Sequence, residues 1–170
     1  MQSTARVLGA GEGKAGRLAS IGVRFMVGAE EAEGGFSLVE HPMPPRALAA
    51  PLHRHTHEDE YSFVLEGRVG AQLGDAIVYG EAGDLIFKPR GQWHTFWNAG
   101  DEPARLLEII SPGGFEGYFE ELTQLTEPPT PAKVAAIAGR YGLELDFDSL
   151  PRLLEEHGLQ FGLAARAGAI

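Results

Sequence analysis

Two stretches decide how this chain reads: PLHRHTHEDEYSFVLEG at residues 51–67 and GDLIFKPRGQWHTFWN at residues 83–98. Together they hold four of the six histidines. His53 and His55 are two apart, and alternate side chains of a strand share a face, so both imidazoles can reach one point. Glu60 follows on the next strand after a tight polar turn and can bring an oxygen to the same point. In the second stretch Pro89 and Gly91 make a turn, His94 begins a strand and Asn98 ends it. A third imidazole thus enters from a distant part of the sequence. Three neutral imidazoles and one carboxylate leave a divalent ion with a net charge of about +1. Six-coordinate geometry would keep two positions open for water, substrate or dioxygen, the composition of a reactive site rather than a closed structural one.

The strands around these stretches are short. Val23–Val27, Phe36–Glu40, Tyr61–Leu65, Val69–Leu73, Ala76–Tyr79, Leu85–Phe87, Thr95–Trp97 and Leu106–Ile110 are predicted, each bounded by turn residues such as Gly34-Gly35, Gly67, Gly74-Asp75 and Gly100-Asp101. Many short strands with no helix between them imply an antiparallel barrel or sandwich, since a parallel crossover needs a dozen residues or more. After Ser111 the period changes. Phe115, Phe119 and Leu122 recur at helical spacing. Thr130 and Pro131 start a second helix that stops at Gly142, and Asp148 or Ser149 caps a third that ends near Gly158. Residues 1–18 are read as a flexible lead-in, 19–112 as the barrel, and 113–170 as a helical cap of the same domain. Gly11, Gly13 and Lys14 do not make a phosphate loop, because Ala15 stands where Ser or Thr should bind magnesium.

The totals narrow the function. A chain of 170 residues suits one domain. A formal net charge of -10 argues against nucleic acid and against an anionic membrane surface. The C-terminal helices carry Lys133, Arg140 and Arg152 against Glu144, Asp146, Asp148, Glu155 and Glu156, the opposite of a DNA reader. Without cysteine, thiolate nucleophiles and thiolate metal sites are excluded. No apolar run spans a membrane or resembles a signal core, so a cytoplasmic location is expected.

The two stretches resemble the paired motifs of the cupin superfamily. The first reads His-x-His, four residues, Glu, six residues, Gly; the second reads Gly, five residues, Pro-x-Gly, two residues, His, three residues, Asn. His53, His55, Glu60, Gly67, Gly83, Pro89, Gly91, His94 and Asn98 fill every signature position. The resemblance implies an all-β fold, the double-stranded β-helix or jelly-roll barrel, here with a short C-terminal helical segment. It also implies that His53, His55, Glu60 and His94 hold one divalent transition metal, which could be Fe, Mn, Ni, Co, Cu or Zn. Within the superfamily the chain resembles the quercetin-dioxygenase-like single-domain cupins. That implies a dioxygenase acting on a small enolisable or aromatic molecule, with Glu60 both ligand and catalytic proton acceptor, and it implies homodimers. The alternatives are an isomerase or decarboxylase, or a metal-dependent binding module without turnover.

Strand parity supplies the rest of the expectation. Ser62 and Val64 face with Glu60, and Phe96 and Asn98 with His94, so these four are the candidate substrate pocket; Val64 and Phe96 could equally fill the barrel. Tyr61, Phe63 and Leu65 point the other way, toward a second sheet or a partner. Trp93 is placed at the pocket rim or in core packing. His57 shares parity with His53 and His55 and is read as a turn residue, with a place as a ligand or as a partner of the ligands left open, although a His55/His57 pair would leave only two residues before Glu60. His41 is expected at a strand end, and His157 at a helix C-terminus, where a cation suits the helix dipole.

Overall fold

The computed structural model describes residues 4–162. Residues 1–3 of the expected lead-in and 163–170 of the expected cap lie outside the described residues. Eleven strands form two antiparallel sheets. They are β1 (Ala15–Leu18), β2 (Ile21–Val27), β3 (Ser37–Met43), β4 (Leu52–His55), β5 (Asp59–Glu66), β6 (Arg68–Leu73), β7 (Ala76–Glu81), β8 (Leu85–Lys88), β9 (His94–Asn98), β10 (Ala104–Ser111) and β11 (Leu143–Asp146). One sheet runs β1-β2-β3-β10-β5-β8 and the other β11-β4-β9-β6-β7. The helices are α1 (Glu116–Thr123), α2 (Pro131–Arg140) and α3 (Leu150–His157). None of them is long and apolar enough to cross a membrane.

Alternation sets which side chains fill the space between the sheets. On β5, Glu60, Ser62 and Val64 are buried while Phe63 and Leu65 are exposed. On β10 the inward set is Ala104, Leu106, Glu108 and Ile110. Strand β9 is buried along its whole length because it is covered on both faces. Phe96 faces the main core, whereas Trp97 joins Leu48, Leu153 and Leu159 in a second core beneath α3. The chain passes from β5 in one sheet to β6 in the other through Gly67 alone. Its φ is 77°, and any Cβ at this position would stand 2.8 Å from Ala104, so only glycine fits there.

Two boundaries differ from the sequence reading. The last four residues of the supposed lead-in form β1, paired from Ala15↔Arg24 to Leu18↔Ile21. AGRL has no alternation to announce a strand; its pairing comes from the tight return at Ala19-Ser20. The supposed helical cap also contributes β11, which pairs with β4 from Leu143↔His55 to Asp146↔Leu52. The C-terminal segment therefore completes a sheet as well as covering it. The helix signals hold: Thr130 caps α2, its hydroxyl accepting from the Lys133 N–H, and α3 ends at left-handed Gly158.

Candidate metal centre

Each motif residue reaches the centre from a different strand position. His53 and His55 project from β4 with Leu52 and Arg54 on the other parity. His53 lies directly opposite His94 in the β4–β9 pairing. Glu60 comes from β5, between Lys88 of β8 and Ile110 of β10. One donor atom from each of His53, His55, Glu60 and His94 lies within 4.8 Å of all the others, and all four side chains are buried. Donors about 2.1 Å from a common ion lie up to about 4.2 Å apart, so a modest contraction closes this set on a metal.

The hydrogen bonds say which nitrogens are free. Nδ1 of His53 is 2.9 Å from the Pro51 carbonyl, and Nδ1 of His94 is 3.0 Å from the Gln92 carbonyl. A carbonyl only accepts, so both Nδ1 atoms carry the proton and both Nε2 atoms present a lone pair. Nδ1 of His55 is turned to the Glu58 carboxylate at 3.5 Å. On the other side, His94 Nε2 lies 3.0 Å from Glu60 Oε2, and His55 Nε2 lies 3.3 Å from Glu60 Oε1. Neither nitrogen of His55 has a hydrogen-bond partner although both are buried. Lone pairs facing carboxylate lone pairs at these distances call for a cation among them, and the donor types suit a divalent transition metal.

The electrostatics prepare the same state. Burial, reinforced by the neighbouring imidazoles, holds His53 well below its ordinary value, and burial lowers His94 as well. Burial opposes ionisation of Glu60, but its charged surroundings, the Lys88 ammonium among them, outweigh it and hold Glu60 well below the usual carboxylate range. Neutral imidazoles and an ionised carboxylate are the forms a metal requires.

Three of the donors, His53, His55 and Glu60, line a cavity walled by Leu18, Ile21, Ala49, Phe96, Phe115, Tyr118, Phe119, Leu143 and Leu145, with His41 and Glu108 on it as well. Phe115, Tyr118 and Phe119 belong to α1 and the residue before it, so the C-terminal segment closes the mouth. The Phe115 ring packs 4.3 Å from the His55 ring. Helix α1 can come this close because Gly16 of β1 lacks a Cβ, which would stand 2.4 Å from Thr123.

Of the expected pocket residues, only Phe96 lines this cavity. Ser62 sits one layer behind, its hydroxyl donating to Glu108. Val64 is fully buried core. Asn98 is buried too, but its amide is spent on the backbone: Nδ2 donates to Met43, Pro44 and Glu102 carbonyls, and Oδ1 accepts from Gly100. It pins the turns at the far end of β9. His57 is exposed on its turn and outside the donor set. His41 is not at a strand end: it sits inside β3, lines the cavity, and packs edge-on against Phe119. His157 stacks on Trp97 at the end of α3, and Trp93 lies under the Arg54 guanidinium. The sequence reading missed Lys88 and Glu108. Their signal was a charged residue at inward parity on otherwise apolar strands.

Three histidines and a glutamate converge inside a two-sheet antiparallel barrel, and residues 40–110 match the family model for the cupin domain. Among relatives, 84 residues are 32% identical to the tetracenomycin polyketide synthase protein TcmJ of Streptomyces glaucescens, over 49% of this chain and 54% of that one. The chain thus spans about half the length of that relative. The structure of the polyketide cyclase RemF from Streptomyces resistomycificus superposes with a TM-score of 0.56 at 26% identity, covering 64% of this chain and 80% of that one. A predicted oxalate decarboxylase from Thermotoga maritima gives 0.59 at 21% identity, over 63% and 99% of the two chains, a likeness of fold.

Proposed function

We propose that this protein is a metal-dependent enzyme acting on a small enolisable or aromatic molecule of the polyketide or polyphenol kind. The observation that carries the reading is the convergence of four buried donors, three of which line an aromatic-walled cavity. A divalent ion held by His53, His55, Glu60 and His94 would act there as a Lewis acid toward an enol or phenol oxygen. The protein supplies the rest. Phe96, Phe115 and Phe119 offer ring faces to a flat substrate, and α1 shields the reacting groups from water. The kinship with a polyketide synthase protein and a polyketide cyclase supports proton-transfer chemistry of the cyclisation or isomerisation type.

A dioxygenase is the second reading, favoured by the three-histidine, one-glutamate donor set, which leaves an ion with room for both substrate and dioxygen. One experiment separates the two. Metal-loaded protein is given flavonols and poly-β-ketone mimics while oxygen uptake and product mass are followed. Products of unchanged mass without oxygen uptake support the first reading; oxygen incorporation replaces it with the second. Tight binding with no product in any case makes the protein a binding module. The exposed apolar face formed by Phe63, Leu65, Leu85 and Phe87 on β5 and β8 supports a homodimer, which sedimentation equilibrium tests.

A further inference from the structure

Behind Glu60 lies a second buried charged cluster that metal ligation does not use. Lys88 is fully buried; its ammonium is 3.0 Å from Glu60 Oε2 and 3.0 Å from Glu108 Oε1. It also lies 4.5 Å from the centre of the Phe96 ring. Ser62 donates to both Glu108 oxygens at 2.9 and 3.0 Å. Carrying ions into a barrel costs several kcal/mol each, and apolar residues would fill the same space at no such cost. The two carboxylates share one ammonium, so one of them holds its charge on poor terms. Glu60 is the better served, with Lys88 on one oxygen and a place among the donors that would hold the metal. Glu108 has Lys88 and a serine hydroxyl, and among the described residues it is the cavity's other carboxylate.

We propose that Glu108 is the proton acceptor of this site, taking the hydroxyl proton of an enolic or phenolic ring seated against Phe96 and Phe119. The proposal rests on the metal-dependent reading above and moves to Glu108 the proton-accepting role that the sequence suggested for Glu60. In the step, the substrate O–H bond breaks and its electron pair stays on the substrate oxygen. The proton forms an O–H bond on the Glu108 carboxylate, and Lys88 stays a cation throughout. Return of that proton to a substrate carbon completes a keto–enol shift. The charged or titratable groups facing Glu108 are Lys88 from β8 and Glu60 from β5, with His41 of β3 on the same cavity. Burial pushes Glu108 up to about 7 against the pull of Lys88, which suits a group that takes and returns protons near neutrality.

The test uses the zinc-loaded full chain and 4-nitrophenol, whose ionisation is read from its visible absorption. At a pH below the free probe's pKa, wild-type protein is expected to bind it as the phenolate. Glu108→Gln is expected to keep its zinc and lower the bound phenolate about tenfold, the equivalent of one pKa unit, with partial recovery in Glu108→Asp. Equal phenolate in wild type and Glu108→Gln overturns the proposal, as does its absence from wild type. Failure of wild type to retain zinc sinks the metal reading instead. If Glu108→Gln does not fold, the wild type carries the test: probe binding must raise the infrared band of a protonated carboxyl, and no such band overturns the proposal.

Discussion

The two ends of β9 look alike by every measure available from sequence, yet they do opposite work. His94 and Asn98 are four residues apart, share strand parity, fill signature positions of one motif, and are both fully buried. At one end, His94 commits only Nδ1 to the backbone and leaves Nε2 pointing at Glu60. At the other, every polar atom of Asn98 is engaged by main chain from two places, the end of β3 at Met43-Pro44 and the turn between β9 and β10. Burial and parity say that a polar side chain faces inward. Only the accounting of its hydrogen bonds says whether it is free to bind anything.

The comparison breaks or stands on a pair of substitutions. His94→Ala is expected to lose stoichiometric metal, read by elemental analysis, while the metal-free protein keeps a nearly unchanged melting temperature. Asn98→Ala is expected to do the reverse. Removing four hydrogen bonds at about 1 kcal/mol each costs roughly 4 kcal/mol, which lowers the melting temperature by about 10 °C at this size, with the folded fraction still binding one metal. Metal loss in Asn98→Ala would return that residue to the site.

His41 sharpens the contrast, because it is a buried histidine that neither ligates nor pins a turn. Burial lowers it to about 4 from its ordinary 6.5. A depressed folded value means the native state holds the neutral ring. Its contribution to stability is therefore present above pH 6.5 and is lost as pH falls through 4. The shift corresponds to about 3 kcal/mol. Glu108 runs the other way: raised to about 7 from 4.5, it favours the fold below pH 4.5 and loses that contribution as pH rises through 7. His41→Leu is thus expected to reduce the loss of stability between pH 6.5 and 4 in denaturant melts by about 3 kcal/mol, the remainder belonging to the likewise lowered His53 and His94. An unchanged acid slope would mean that another group carries it.

Much of the barrel was legible because its strands alternate cleanly between core and solvent and its turns are written in Gly, Pro, Asn and Asp. The ligand set was legible because four rare side chains occupy fixed spacings. What stayed hidden depends on who lies opposite. AGRL and LELD become strands through partners distant in the fold, β2 and β4. Phe115, Tyr118 and Phe119 read as a helix face, yet nothing local says that this face closes the cavity over His55. Lys88 and Glu108 were each visible as an inward charge, but their pairing is a property of strand order. The β8-β5-β10 neighbourhood that joins them cannot be read from either strand alone.

The smallest expected effect concerns Glu58, which extends the accounting from β9 to His55. Glu58 is buried, one of its oxygens has no hydrogen-bond partner, and the nearest approach to His55 Nδ1 is 3.5 Å. Backbone carbonyls fix the rings of His53 and His94, whereas the group facing Nδ1 of His55 is a side chain. A carboxylate there fixes the tautomer and strengthens the ring as a donor, and losing such a partner costs about 10- to 100-fold in metal affinity. Glu58→Gln is expected to weaken zinc binding by that factor in competition with a chelator, with little change in melting temperature. If affinity is unchanged while stability falls, Glu58 belongs with Asn98 among the residues that hold the frame. If affinity falls alone, it belongs with His94, and the two kinds of buried polar residue stay distinct beyond the strand that first separates them.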